Sequence, residues 1–348
     1  MKRKIAVLFG GHSAEYDVSL QSASAVLENL SPEKYDLYPV GITKYGDWFH
    51  YTGRTGNIAN GTWEQDKAHS RTVAVSQSRS VKGFLEFTEN GCITVPIDLV
   101  FPVLHGKNGE DGTVQGLFEL CGIPIVGCGT LSSALCMDKA RAHKLASLAG
   151  VAVPESVIFR RSTKNAAVQE IQNRLTYPLF VKPVRAGSSF GISKITDANA
   201  LDRAIELAFC YDSEVTVEEA IDGFEVGCAV LGTETLTLGR VDEIELSDGF
   251  FDYTEKYTLR TSSIHMPARI PAETEKRIQD TAVVLYRTLG CSGFARVDMF
   301  CTPSGKIVFN EINTIPGFTT HSRFPNMMKG IGLDFPQMLD KLIGLYTV

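Results

Sequence analysis

Hydrophobic and polar positions along the chain switch between two periods. Residues 4–9 (KIAVLF) form a short apolar run ending at Gly10-Gly11, after which Ala23, Val26, Leu27 and Leu30 recur at helical spacing. A second strand-like run, DLVFPVL (98–104), leads into HGKNGEDG; a helix is expected from about Thr113, and then a strand at IPIVG. Strands alternating with helices predict an α/β layer with parallel pairing. Ligands of such sheets gather beyond the carboxyl ends of the strands, where Glu15 and His105 fall. From about Asp138 a helix runs to Gly150, placed as its C′ glycine, and VAVPES restarts the chain. The next block reads SVIF, a helix near 165–175, PLFVKPV, GISKI, a helix near 197–208 and VTVEEA, a compact α+β unit. The remainder holds EVGCAVLG, VDEIEL, a polar stretch 247–265, and a helix with Ile278, Ala282, Leu285 and Leu289 on one stripe. Strands GFARVDMF and KIVFNEIN follow, joined by TPSG, a turn signal.

Bulk composition narrows the classes. A chain of 348 residues is long enough for two or three domains, and 44% hydrophobic with 21% charged residues is ordinary for a globular protein. The net charge of -6 argues against a general nucleic-acid binder but leaves room for an anionic small molecule held by local Lys and Arg. The eight cysteines include no C-x-x-C pair, which suits buried thiols in a reducing cytoplasm. The apolar run Ile5 to Phe9 is too short for a secretory leader, and no stretch is long enough to cross a bilayer. A cytoplasmic protein is expected.

The chemistry concentrates at VFNEINTIPGF (308–318), which has the apolar pattern of a buried strand yet carries Glu311 and Asn313 on one face. Burying a carboxylate beside an amide is costly unless a cation meets both. In ARVDMF, Arg296 and Asp298 also share a face; a hairpin through TPSG would bring Asp298, Glu311 and Asn313 together as hard oxygen ligands for Mg²⁺. A plain ion pair between Arg296 and Glu311 is the simpler alternative. KPVRAGSSFGISKI (182–195) is a Gly/Ser-rich loop after Lys182; it lacks the P-loop spacing, and Gly187, Ser188, Ser189 and Gly191 either lay N–H groups over phosphates or form a turn. Glu218, Glu219 and Glu225 are either acceptors for an adenosine or exposed acids. Glu15 near a helix start also suits the helix dipole, and HGKNGEDG also suits a turn.

Taken together the blocks LFGGHSAEYDVS, LHGKNGEDGTVQG, CMDK, KPVRAGSSFGISK, EEAIDGFEVG, EKY, ARVDMF and NEINTIPGFTTHSR resemble, in order, the ATP-grasp family and within it the D-alanine–D-alanine ligases. The resemblance covers residues 5–330. It implies an ATP-grasp fold of class α/β (α+β), with an N-terminal substrate domain at 1–132, a central subdomain at 133–220 and a C-terminal subdomain at 221–348. It further implies ATP and Mg²⁺ as cofactors, two ions being expected and Mn²⁺ able to substitute. Asp298, Glu311 and Asn313 would be the metal ligands. Lys139, Lys182 and Lys256 would meet the phosphates under the loop carrying Ser189 and Gly191, with Glu218, Glu219 and Glu225 bordering adenosine. The first D-alanine would become an acyl phosphate, displaced by the amine of a second D-substrate. Glu15 would pair with the first ammonium, Ser188 and Tyr257 would bond to Glu15, and Arg296 with the Gly317 N–H would stabilise the oxyanion. His105 and Ser322 would contribute to substrate binding, and a homodimer is the usual family state.

One position departs from the housekeeping pattern. Those ligases resemble one another in reading S-H-S-L here, whereas this chain reads HSRF with Arg323. A methyl-sized pocket has no use for a guanidinium, so Arg323 is similar to the vancomycin-resistance branch, which makes D-alanyl-D-serine or D-alanyl-D-lactate. The D-lactate makers resemble one another in a His-containing lid, and this chain keeps Glu255, Lys256 and Tyr257, which favours D-serine. Asp242 and Phe251 are lesser candidates for the serine pocket, with Asp242 orienting Arg323; a structural Arg323–Asp242 pair, or an Arg323 facing solvent, is the alternative. A housekeeping D-alanine–D-alanine ligase, a non-catalytic ATP-grasp regulator and a nicotinamide-dependent reductase are the competing readings.

Overall fold

The computed structural model describes residues 2–187, 189–246, 262–319 and 321–346. Strand β1 (Arg3–Gly10) runs parallel to both β2 (Tyr35–Ile42) and β7 (Leu99–Pro102). Its run of apolar residues is explained by cover on both faces. Ile5, Val7 and Phe9 pack with Leu20, Ala23 and Val26 of α1 (Tyr16–Asn29), while Ala6 and Leu8 pack with Val100 and Phe118 on the opposite side. Parallel pairing covers only this half. Strands β3 (Trp48–Tyr51), β4 (Ser70–Val75), β5 (Gly83–Thr88) and β6 (Gly91–Pro96) extend the sheet antiparallel, in the order β6-β5-β4-β3-β2-β1-β7. IPIVG makes a single bridge, Ile125 to Val100, instead of a full strand. Helices α2 (Thr55–Ala59), α3 (Thr113–Cys121), α4 (Thr130–Met137) and α5 (Lys139–Leu148) complete this part. Asp138 caps α5 by accepting from the Arg141 N–H at 2.9 Å, which fixes Lys139 as the first helical residue.

The second sheet holds β8 (Ser156–Arg160), β9 (Leu179–Pro183), β10 (Ser193–Ile195) and β11 (Glu214–Glu219), ordered β10-β9-β11-β8 and antiparallel throughout. Strand alternation decides its chemistry. Leu179, Val181, Val215 and Val217 face α6 (Lys164–Arg174) and α7 (Leu201–Ala208), which sends Lys182, Thr216 and Glu218 to the other face.

The third sheet, ordered β14-β13-β12-β15-β16, comprises β12 (Phe224–Gly232), β13 (Leu236–Leu246), β14 (Ser262–His265), β15 (Gly293–Cys301) and β16 (Ile307–Asn313). Helix α8 (Ala272–Thr288) buries the Ile278, Ala282 and Leu285 stripe against Val297 and Met299. On the other face, α9 (Arg323–Lys329) and α10 (Phe335–Gly344) join a cluster shared with the first sheet. Phe318 packs edge-on to Phe101 at 6.0 Å and to Phe294 at 5.2 Å, tying the segment after β16 to both sheets. Among the described residues no helix is long and apolar enough to cross a membrane.

Candidate active site

The hairpin through TPSG forms, and its register sets Asp298 opposite Glu311 and Arg296 opposite Asn313. The Asn313 side-chain amide donates to Asp298 Oδ2 at 2.9 Å, so the three side chains lie on one face of the hairpin. The ion pair considered from sequence does not form as drawn. Arg296 instead chelates Asp298 on its own strand face, with Nε at 2.8 Å and Nη2 at 2.6 Å, and Glu311 faces Lys139 Nζ at 3.6 Å. Burial disfavours the Arg296 charge, but Asp298 outweighs it and holds the guanidinium above its ordinary pKa. Among the described residues no group of three or more His, Cys, Asp or Glu is set to hold a metal. The trio here is two carboxylates and an amide, with Glu311 and Asn313 lining a cavity of about 790 Å³. That donor set and space fit a hard divalent ion whose remaining ligands are water and phosphate oxygens.

Of the two described lysines singled out by sequence, Lys139 Nζ donates to the Ala186 carbonyl at 2.8 Å and Lys182 Nζ to Glu218 Oε2 at 2.7 Å. Burial alone would raise Glu218, but Lys182, His143 and Lys139 outweigh it and hold the carboxylate below its ordinary range. The structure does not bring Glu218, Glu219 and Glu225 together. Strand alternation turns Glu219 away from Glu218, and its Oε1 accepts from the Glu155 N–H at 3.0 Å. Glu225, on β12, meets Arg323 Nη1 at 2.9 Å. In the glycine-rich segment, Ser189 and Gly191 both have positive φ, 60° and 71°.

Glu15 is the N-cap residue of α1 and is buried, and its side chain makes no capping hydrogen bond to the helix. A Cβ at Gly106 would collide with Glu15 Oε2, and one at Gly187 would lie 3.0 Å from it. Two glycines therefore let separate loops close onto this carboxylate. His105 lines the same cavity, with its ring held from both sides. Its Nδ1 lies 2.9 Å from the Ile315 carbonyl and its Nε2 3.3 Å from Ser22 Oγ. With both nitrogens engaged it props the segment carrying Gly317, and burial pushes its pKa down to about 4, leaving it neutral. Gly317 and Ser322 line the cavity, and Ser322 Oγ accepts from the Thr319 N–H at 3.0 Å.

Glu110 was not singled out by sequence because GEDG also suits a turn. Its two oxygens accept from the Gly106 N–H at 2.9 Å and the Ile315 N–H at 3.1 Å, joining loops from the first and third sheets beside Glu15. Burial and the Glu15 carboxylate push Glu110 up to about 8. The signal available in sequence was its place four residues after Gly106.

Arg323 begins α9, lines the cavity, and is only 8% exposed. Asp242 takes its Nε and Nη2, each at 2.7 Å, while Nη1 meets Glu225 and lies 3.3 Å from Asp298. Arg323 facing solvent is thus ruled out, and Asp242 does orient it. Gly227 makes room, since a Cβ there would strike the guanidinium. Ser188, Phe251, Glu255, Lys256 and Tyr257 lie outside the described residues.

A four-stranded sheet bearing Lys182 and a five-stranded sheet bearing Asp298, Glu311 and Asn313 define an ATP-grasp enzyme, an ATP-dependent ligase that also uses a divalent metal. Models described as D-ala D-ala ligase N-terminus and D-ala D-ala ligase C-terminus match residues 4–128 and 145–344, and the chain belongs to this D-Ala-D-Ala ligase family. Vancomycin C-type resistance protein VanC1 of Enterococcus gallinarum is 45% identical over 99% of this chain and 98% of its own. A D-alanine–D-alanine ligase of Caldicellulosiruptor bescii is 44% identical over 99% and 95%. The crystal structure of VanG D-Ala:D-Ser ligase from Enterococcus faecalis superposes with TM-score 0.94 at 68% identity, covering 100% of both chains.

Proposed function

We propose that this chain joins D-alanine to D-serine at the expense of ATP, for peptidoglycan precursors that confer vancomycin resistance. The observation that carries the reading is the buried Arg323 lining the same cavity as Glu311 and Asn313, held there by Asp242. The 68% identity to a D-Ala:D-Ser ligase supports it. Identities of 44–45% to proteins of both names do not separate the products, so the local chemistry decides.

In this reading Glu15 receives the ammonium of the first D-alanine, whose carboxylate attacks the terminal phosphorus of ATP, breaking its bond to the bridging oxygen, so that ADP leaves and D-alanyl phosphate forms. The D-serine amine then attacks the acyl carbon and phosphate leaves, with Arg296 and the Gly317 N–H facing the developing oxyanion. Asp298, Glu311 and Asn313 would hold Mg²⁺, for which Mn²⁺ can substitute; the ion supplies charge neutralisation at the phosphates. Lys139 and Lys182 add positive charge from α5 and β9. Glu218 directs Lys182 by accepting from its Nζ, and Glu110 fixes the two loops around the substrate. Arg323 presents a polar wall suited to a hydroxyl, oriented by Asp242. The same reading divides the chain at 1–132, 133–220 and 221–348 and expects a cytoplasmic homodimer.

A second reading, a D-alanine–D-alanine ligase, draws on the three carboxylates that already occupy much of the Arg323 guanidinium. The first test is ADP release on mixing protein, ATP, Mg²⁺ and D-amino acids. Release that requires D-alanine and is accompanied by a dipeptide supports the ligase. A protein that binds ATP without D-alanine-dependent release is the non-catalytic regulator.

A further inference from the structure

The glycine-rich segment is held from outside the cavity by two neighbouring residues between α7 and β11. At its start, Arg185 gives its backbone N–H to Asp212 Oδ2 at 2.7 Å, and its guanidinium returns to the same carboxylate through Nε at 3.1 Å and Nη2 at 2.7 Å. Burial would raise Asp212, but Arg185 outweighs it and holds the carboxylate ionised, below its ordinary range. At its far end, the Phe190 ring stacks on Tyr211 with centroids 6.2 Å apart and planes 28° from parallel. Gly191, at φ 71°, lies so close that a Cβ would stand 2.6 Å from the Tyr211 ring. Between these anchors Lys139 binds the Ala186 carbonyl, and Gly187 reaches Glu15 across the cavity.

We infer that Tyr211 and Asp212 are positioning residues for phosphate binding: they fix Arg185 and Gly191 so that Ala186 and Gly187 already line the cavity before nucleotide arrives. The inference rests on the ligase reading but concerns residues that touch neither substrate nor the proposed metal ligands. Tyr211 is half-exposed, and its ring lies against Phe190 and the backbone of Gly191. Its counterpart on the loop is a glycine in a conformation other residues avoid, so ring and backbone are in contact with no side chain between them. A loop already in place binds ATP without first being ordered, and it keeps water from the reactive acyl group after phosphate transfer.

The test compares Tyr211→Ala and Tyr211→Phe in the full chain, by calorimetric ATP affinity and by the ratio of ADP released to dipeptide formed. Tyr211→Ala should weaken ATP binding about threefold to tenfold, the range one aromatic contact supports. It should also raise the ADP-to-dipeptide ratio above that of the parent, while D-alanine KM and melting temperature stay close to the parent. Tyr211→Phe, which keeps the ring, should behave as the parent. Unchanged ATP affinity and ratio in Tyr211→Ala, or equal losses in both variants, would overturn the inference. A parent protein that forms no dipeptide, yet loses ATP affinity on Tyr211→Ala, would count against the ligase reading and leave the positioning role standing.

Discussion

Arg323 on α9 grips Asp242 on β13 through two parallel hydrogen bonds of 2.7 Å, and both side chains are buried. The residue that departs from the housekeeping pattern is therefore also a structural pin. Asp242 in turn accepts from the Gly227 N–H at 3.0 Å, so the pair fastens α9 to two adjacent strands.

Removing the arginine alone should be costly. Arg323→Leu strands a buried carboxylate, and unfolding free energy should fall by about 3–5 kcal/mol. Arg323→Leu with Asp242→Asn keeps an acceptor for the Gly227 N–H without the orphaned charge, and should recover most of that loss in denaturant titration. The double variant is the fair one for specificity, and its use of D-serine relative to D-alanine should drop. A preference ratio unchanged from the parent would remove Arg323 from the account of specificity.

Of the two proposed carboxylate ligands, Asp298 is chelated by Arg296 whereas Glu311 faces Lys139 Nζ at 3.6 Å, so Glu311 offers the clearer separation of chemistry from folding. Glu311→Gln should raise the Mg²⁺ concentration needed for half-maximal ADP release by at least the roughly 10–100-fold associated with outer partners of metal ligands. Melting temperature in the absence of Mg²⁺ should change little. A parent-like Mg²⁺ titration would exclude Glu311 as a ligand.

His105 makes an acid-stability prediction whose sign is fixed. Its folded pKa lies near 4, below the ordinary value of 6.5, so the unfolded chain takes up the proton first as pH falls. The contribution is complete above pH of about 6.5 and is lost toward pH 4, amounting to at most about 3 kcal/mol. His105→Gln should flatten that part of the stability curve. An unchanged slope would mean His105 is not the buried neutral group responsible.

Glu110 predicts the opposite slope. Its folded pKa near 8 lies above the ordinary 4.5, so the folded state holds the proton longer and stability is lost as pH rises toward 8. Relative to Glu110→Gln, the parent should lose melting temperature across that interval. Equal pH profiles for parent and variant would exclude Glu110 as the group that titrates.

Strands β15 and β16 were legible in the sequence because an alternating pattern with polar residues on a buried face has few explanations. The TPSG hairpin sets Asp298 opposite Glu311 and lets the Asn313 amide reach Asp298. The antiparallel extension β3–β6 was harder to see: β6 has little buried surface and hence almost no hydrophobic signal. Residues joined across the chain were also hidden. Nothing local marks Glu110 as the partner of Ile315, 205 positions away, or sends Glu225 to Arg323 and not to Glu218. Periodicity gives the face a side chain occupies, and tertiary closure chooses its partner.

Central to the account is that the cavity lined by Arg323 accepts a hydroxyl-bearing amine as second substrate. Equal D-alanine, D-serine and D-lactate should be offered together with ATP and Mg²⁺, and the products separated by mass. D-alanyl-D-serine as the major product is the predicted result. D-alanyl-D-alanine as the major product, with D-serine left largely unconsumed, would contradict it.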